Sequence, residues 1–98
     1  MKSTVLFLRV AILSIAISII LGAFGAHALK EFFSDYEMDI WNKGIFYQIT
    51  NSLGLILIIL LMKNNLVKES KLAMLLLYLG IVFFSGSLYT IALTNVFL

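Results

Sequence analysis

The sequence predicts an all-α integral membrane protein, a bundle of three transmembrane helices at about residues 4–28, 35–62 and 70–96. Two observations carry that expectation. Asp, Glu, Lys and Arg are absent from Val10 to Leu29, from Gly44 to Met62 and from Leu72 to Leu98. A hydrocarbon layer about 30 Å thick takes roughly 20 helical residues to cross. Further, 62% of the 98 residues are hydrophobic and only 12% are charged. A soluble domain of that size would need far more polar surface than these residues supply. The expected surroundings are therefore a lipid bilayer, with residues 1–98 forming one transmembrane domain.

Composition also removes several functions. Seven basic against five acidic residues leave a net charge of +2, too small and scattered for a nucleic-acid footprint. With no cysteine in the chain, disulfides, thiolate metal sites and cysteine nucleophiles are excluded. Proline is absent too, so the spans are expected to be regular helices without proline kinks.

The first span follows Lys2 and Arg9. Its apolar run ends near Ala26-His27-Ala28, which has the look of a signal-peptide cleavage site. The uncharged stretch of 20 residues is long for the apolar part of a signal peptide, so a retained span is expected. Ser14, Ser18, Gly22 and Ala26 recur every four residues and predict a packing seam, because helices in lipid associate through close approach at small side chains. In the first loop, Ser34 with Glu37 matches a capping box, which pairs two donors at a helix start. Asp35, Glu37 and Asp39 then favour the positive end of the helix dipole. Phe32, Phe33, Tyr36, Trp41, Phe46 and Tyr47 predict an aromatic belt at the membrane surface. Asn64 and Asn65 stop the second helix. In the third, Ala73, Gly80, Ser87 and Thr94 fall on a seven-residue repeat that suits a left-handed crossing.

The basic residues set the expected orientation. Lys2, Arg9, Lys63, Lys68 and Lys71 share one side of a three-span bundle, against Lys30 and Lys43 on the other. That places the N-terminus and second loop in the cytoplasm and the acidic loop and C-terminus outside the plasma (inner) membrane.

Few residues offer chemistry. His27, the single histidine, has the intrinsic pKa of a proton relay or metal ligand. One histidine makes no metal site, and an interhelical hydrogen bond or an interfacial position is the commoner use. Gly44, Gln48, Asn51 and Leu55 centre on one face of the second helix, flanked by Tyr47 and Ser52. Polar groups there must turn toward protein or trapped water, either as interhelical glue or as the lining of a polar path. Ser85-Gly86-Ser87 with Tyr89 and Thr90 form a second polar cluster. A serine nucleophile would need a base and an oxyanion site, and Ser85 and Ser87 have no nucleophile-elbow context. Glu31, Asp35 and Asp39 lie four apart, which could attract a hard cation, although a solvated helix start is the commoner meaning of that spacing. No catalytic, cofactor or metal site is expected. The expected interhelical polar network is His27, Tyr47, Gln48, Asn51, Ser85 and Tyr89.

Three segments together carry a family likeness. Gly22-Ala23-Phe24-Gly25-Ala26-His27-Ala28-Leu29-Lys30, Tyr47-Gln48, and Phe84-Ser85-Gly86-Ser87-Leu88-Tyr89 with Ala92-Leu93-Thr94 resemble the small YgdD/YwdK-like inner-membrane family. It is a domain-of-unknown-function family with a mitochondrial relative in animals. The resemblance implies a compact multi-span helical protein without an established activity. Two departures stand out. The family usually carries a histidine a few residues after Tyr-Gln, where this chain has Asn51, so roles needing paired histidines are disfavoured. It also usually has a fourth span, and the helix face left without one would suit another subunit.

The function expected is non-catalytic: a structural or accessory component that joins with itself as a homo-oligomer or with a larger membrane complex. The alternative is an oligomeric conduit or transporter for a small solute, ion or proton. Helices about 10 Å wide leave a three-helix bundle little room for an internal cavity. A dry, satisfied amide network would favour the first reading, and a hydrated path reaching Asn51 from both sides the second.

Overall fold

The computed structural model describes residues 2–98. The chain forms α1 (Lys2–His27), α2 (Asp35–Lys63), α3 (Lys71–Gly80) and α4 (Gly86–Phe97), and a π-helical segment, Ile81–Ser85, joins the last two. The third span, Lys71–Phe97, is thus one continuous rod. All three rods are long and apolar enough to cross a membrane, and the bundle measures 48 × 20 × 18 Å.

Local signals fix the ends of the helices. Ser34 caps α2: its hydroxyl accepts from the Glu37 amide at 3.4 Å, while the Glu37 carboxylate accepts from the Ser34 amide at 3.1 Å. Both donors would otherwise be orphaned at the helix start. At the other end, the Asn64 side chain donates to the Leu60 carbonyl at 2.8 Å. Asn65 turns the chain with φ of 58°, a conformation that asparagine tolerates better than most residues. Ser70 caps α3 by accepting from the Ala73 amide at 3.1 Å.

α2 is the central rod. α1 and the third span lie on either side of it, and the backbone of α1 approaches the third span only along α3. Two apolar clusters hold the ends. Phe7, Ala11, Leu55, Ile59, Met62 and Met74 pack at the end that carries the Lys63–Lys71 loop. Leu29, Phe33, Trp41 and Ala92 pack at the other end. Between them lies a buried polar layer of Ser14, Ser18, Gln48, Ser52 and Ser85. This order suits lipid: bilayer tails compete for apolar contacts anywhere along a helix, but cannot replace a hydrogen bond at mid-depth.

Three expectations change. The third span is not a regular α-helix, since a π segment interrupts it without any proline. The aromatic belt is incomplete, because Phe33 and Trp41 turn inward, Trp41 to 3% exposure, while Phe32, Tyr36, Phe46 and Tyr47 remain exposed. Finally, α1 and the third span splay apart above α3 and leave a side-opening cleft of about 370 Å³.

Candidate functional site

Gln48 sits at the centre of the polar layer and touches both neighbouring rods. Its Nε2 donates to the Ser14 carbonyl at 2.9 Å and to the Ser14 hydroxyl at 3.2 Å. Its Oε1 accepts from the Tyr89 hydroxyl at 2.7 Å. One amide therefore ties α1, α2 and α4 together. Ser52, one turn along α2, donates to the Gln48 carbonyl at 2.6 Å and shares a 2.9 Å bond with the Ser14 hydroxyl. Ser18 donates to the Ser14 carbonyl at 2.8 Å. Ser85, at the end of the π segment, donates to the Gly44 carbonyl at 2.8 Å. Among the described residues no buried side-chain nitrogen or oxygen lacks a partner. An amide has two donors and a carbonyl to satisfy, and here all are used within the protein.

Glycines allow the rods to come this close. A Cβ on Gly44 would stand 2.6 Å from Cε1 of Tyr89, and one on Gly25 would stand 2.5 Å from Nε1 of Trp41. Because Gly25 has no side chain, the Trp41 indole reaches past it and donates to the Leu21 carbonyl at 3.0 Å. Tyr89 lies against Trp41 with ring centroids 4.8 Å apart. The chain of contacts runs from Gly25 through Trp41 and Tyr89 to Gln48.

The expected site residues divide accordingly. Ser14, Gln48, Ser85 and Tyr89 meet in the polar layer, and Ser18 and Ser52 complete it. Asn51 is half-buried and makes no hydrogen bond within the described residues, because the buried face of α2 runs through Gly44, Gln48, Ser52 and Leu55. Tyr47 is exposed and packs edge-on against Phe84. His27 is exposed at the end of α1. It lies 13 residues beyond Ser14, roughly 20 Å along the helix axis, and so is not part of the Gln48 layer.

The small-residue seams also differ from their expected course. On α1 the buried face runs through Ala11, Ser14, Ser18 and Gly25, and Ala26 is exposed. Four-residue steps advance about 40° beyond a full turn, so three steps carry Ala26 about 120° away from Ser14. Gly22 is half-buried, and a Cβ added there would meet Ile45 at an ordinary 3.8 Å. On the third span the buried face is Met74, Ile81, Ser85 and Ala92. Ala73 and Gly80, each one residue off it, are half-buried. Ser87 and Thr94 lie two residues past Ser85 and Ala92, about 200° round the helix, and are exposed. Their hydroxyls bond back to the Phe83 and Ile91 carbonyls of their own helix. The π segment lies between the two halves of the seven-residue repeat.

Other possible chemistry is dispersed. Asp39 pairs with Lys43 at 3.0 Å on the surface, both more than 60% exposed, a kind of contact that adds little stability. Within the described residues, no three His, Asp or Glu side chains converge as a metal site would require.

The fold and the polar layer define a small helical membrane protein whose three spans are clamped at mid-depth by one glutamine. Its family follows from comparison with known proteins. The model of a protein family of unknown function, DUF423, matches residues 21–97. A UPF0382 membrane protein of Staphylococcus haemolyticus is 43% identical over 93% of this chain and 74% of its own length. The UPF0382 membrane protein YwdK of Bacillus subtilis is 33% identical over 92% of this chain and 74% of its own length. The UPF0382 inner membrane protein YgdD of Escherichia coli is 35% identical over 81% of this chain and 60% of its own length. The chain belongs to this family of membrane proteins of unknown function. No solved structure matches it significantly.

Proposed function

We propose that the protein is a non-catalytic structural or accessory component of a membrane assembly, joined to further copies of itself or to a larger complex. The observation that supports this reading best is the closed state of the polar layer. Every polar atom of the Gln48 side chain is bonded to α1 or α4. A conduit needs polar groups free to exchange partners with a passing solute or water chain, whereas a clamp needs them occupied. Asn51 and His27, the other polar residues a conduit would use, lie outside the layer.

Reconstitution tests the reading against a conduit. Vesicles containing the protein are expected to leak protons and potassium no faster than protein-free vesicles, as read by entrapped pH and potassium dyes. Flux that scales with protein content and disappears in Gln48→Leu would overturn the proposal. The assembly itself is tested by isolating the tagged chain from its native membrane in mild detergent. Stoichiometric, reproducible recovery of the same membrane complex is the expected outcome; a monodisperse form without other components would leave only self-association.

The proposed orientation puts the N-terminus and the Lys63–Lys71 loop in the cytoplasm and the acidic first loop outside, on the five-to-two distribution of basic residues counted above. Since the chain has no cysteine, single cysteines at Asn65 and Asp35 give an unambiguous readout. A membrane-impermeant maleimide added to intact cells should label Asp35→Cys and spare Asn65→Cys; the opposite pattern would invert the topology.

A further inference from the structure

The cleft between α1 and the third span opens sideways at membrane depth, and its occupant can be argued from its walls. One wall is the α1 ridge Leu13, Ile17 and Leu21; the other includes Tyr78, Ile81 and Val82, and Gln48 lies at the floor. The polar atoms at that floor are already paired with one another. A polar ligand would find no vacant donor there, so the cleft suits a hydrocarbon chain.

Charge at the mouth narrows the choice further. Arg9 lies one turn before Leu13 on the same four-residue ridge, exposed and without an ion pair among the described residues. Lys71 stands at the same end of the bundle, two residues past the Glu69 that accepts from Thr4 at 3.3 Å, on the ridge that continues through Leu75, Tyr78 and Val82. Long basic side chains at such depth extend toward the headgroups. The α1 wall of the cleft runs from Val10 to Leu21, about 16 Å of helix, close to the roughly 15 Å that the acyl chains of one leaflet span and reaching past the mid-depth level of Ser14. The cleft thus has the length of a single acyl chain, with cations where the phosphate of that lipid would lie.

We infer that the protein binds one anionic phospholipid from the leaflet on the side of the Lys63–Lys71 loop. One acyl chain fills the cleft, and Arg9 and Lys71 hold the phosphate. The surrounding loop end adds Lys63 and Lys68 and only one acid, Glu69, which favours an anionic over a zwitterionic headgroup.

Native mass spectrometry of the full chain, released from micelles containing equal phosphatidylglycerol and phosphatidylcholine, tests this directly. One phosphatidylglycerol should stay bound under activation that strips phosphatidylcholine. Arg9→Gln and Lys71→Gln should each weaken that preference about fivefold, on the strength of one basic side chain near an anionic lipid. Val82→Trp, at a position already facing lipid, should fill the cleft and reduce retention of both lipids while circular dichroism stays unchanged. Leu13→Trp repeats that test from the opposite wall. Equal retention of the two lipids, full preference in the Arg9→Gln, Lys71→Gln double variant, or a lipid-free dimer as the dominant ion would each overturn the inference.

Discussion

Gln48→Leu is expected to lower the stability of the bundle by about 2–4 kcal/mol, the largest loss from any single polar substitution in the chain. Interhelical hydrogen bonds in membrane proteins average about 0.6 kcal/mol and reach about 1.7 kcal/mol. Gln48 makes three of them, two to Ser14 and one from Tyr89, or roughly 2 kcal/mol at the average. The substitution also leaves the Tyr89 hydroxyl without its acceptor in a half-buried place, and stranding a polar group costs about 1–3 kcal/mol. The effect acts at mid-depth, where neither water nor lipid can substitute.

The single tryptophan supplies the readout. Trp41 is buried beside Tyr89, so its fluorescence reports opening of this region as sodium dodecyl sulfate is titrated into mixed micelles. Tyr89→Phe keeps the ring and removes one bond, so it should cost about 1 kcal/mol. Asn51→Leu removes a polar side chain of the same helix that makes no hydrogen bond among the described residues and should fall within about 0.5 kcal/mol of wild type. If Gln48→Leu and Asn51→Leu proved equally stable, the clamp would have no energetic role.

The spans were legible in the sequence because their cause is local. Uncharged runs long enough for a bilayer, the Ser34 and Glu37 pair and the Asn64-Asn65 stop each act within a few residues of themselves, and the ends of α2 fall where those signals place them. Gln48 was also legible, since a buried amide in lipid must find a partner. The partners themselves were not. The spacing puts Ser52 on the flank and Asn51 at the centre of the polar face, and one residue of drift, 100° on a helix, decides which of them faces α1. The π segment left no mark in composition, since the chain has no proline, and Ser87 and Thr94 face away because the buried face runs through Ser85 and Ala92, two residues before each. By its position Trp41 belongs to an interfacial belt, because the sequence does not show that Gly25, sixteen residues earlier, opens a slot for its indole. In each case the missing information was a relation between two helices, set by rotation about their axes rather than by the character of either one alone.

That relation makes Gly25 and Gly44 the most sensitive small residues, and Gly44→Ala and Gly25→Ala are each expected to cost about 1–3 kcal/mol, the usual range for overpacking. For Gly25 the added methyl would meet the Trp41 ring nitrogen and separate it from the Leu21 carbonyl, so a hydrogen bond is lost with the clash. The indole has little room to retreat, with Phe33 on one side at 5.7 Å and Tyr89 on another at 4.8 Å between ring centroids. For Gly44 the methyl would push on the Tyr89 ring, whose hydroxyl must stay within reach of Gln48. Gly80→Ala and Gly86→Ala are the controls: nothing lies within 4 Å of a Cβ at either position, so they should be neutral or stabilising by up to about 1 kcal/mol. A double-mutant cycle separates clash from helix propensity. In a Tyr89→Ala background the obstacle is gone, and Gly44→Ala should then cost nothing in the same detergent titration. Were the cost to persist there, the close approach of α2 and α4 would not be what selects glycine at position 44.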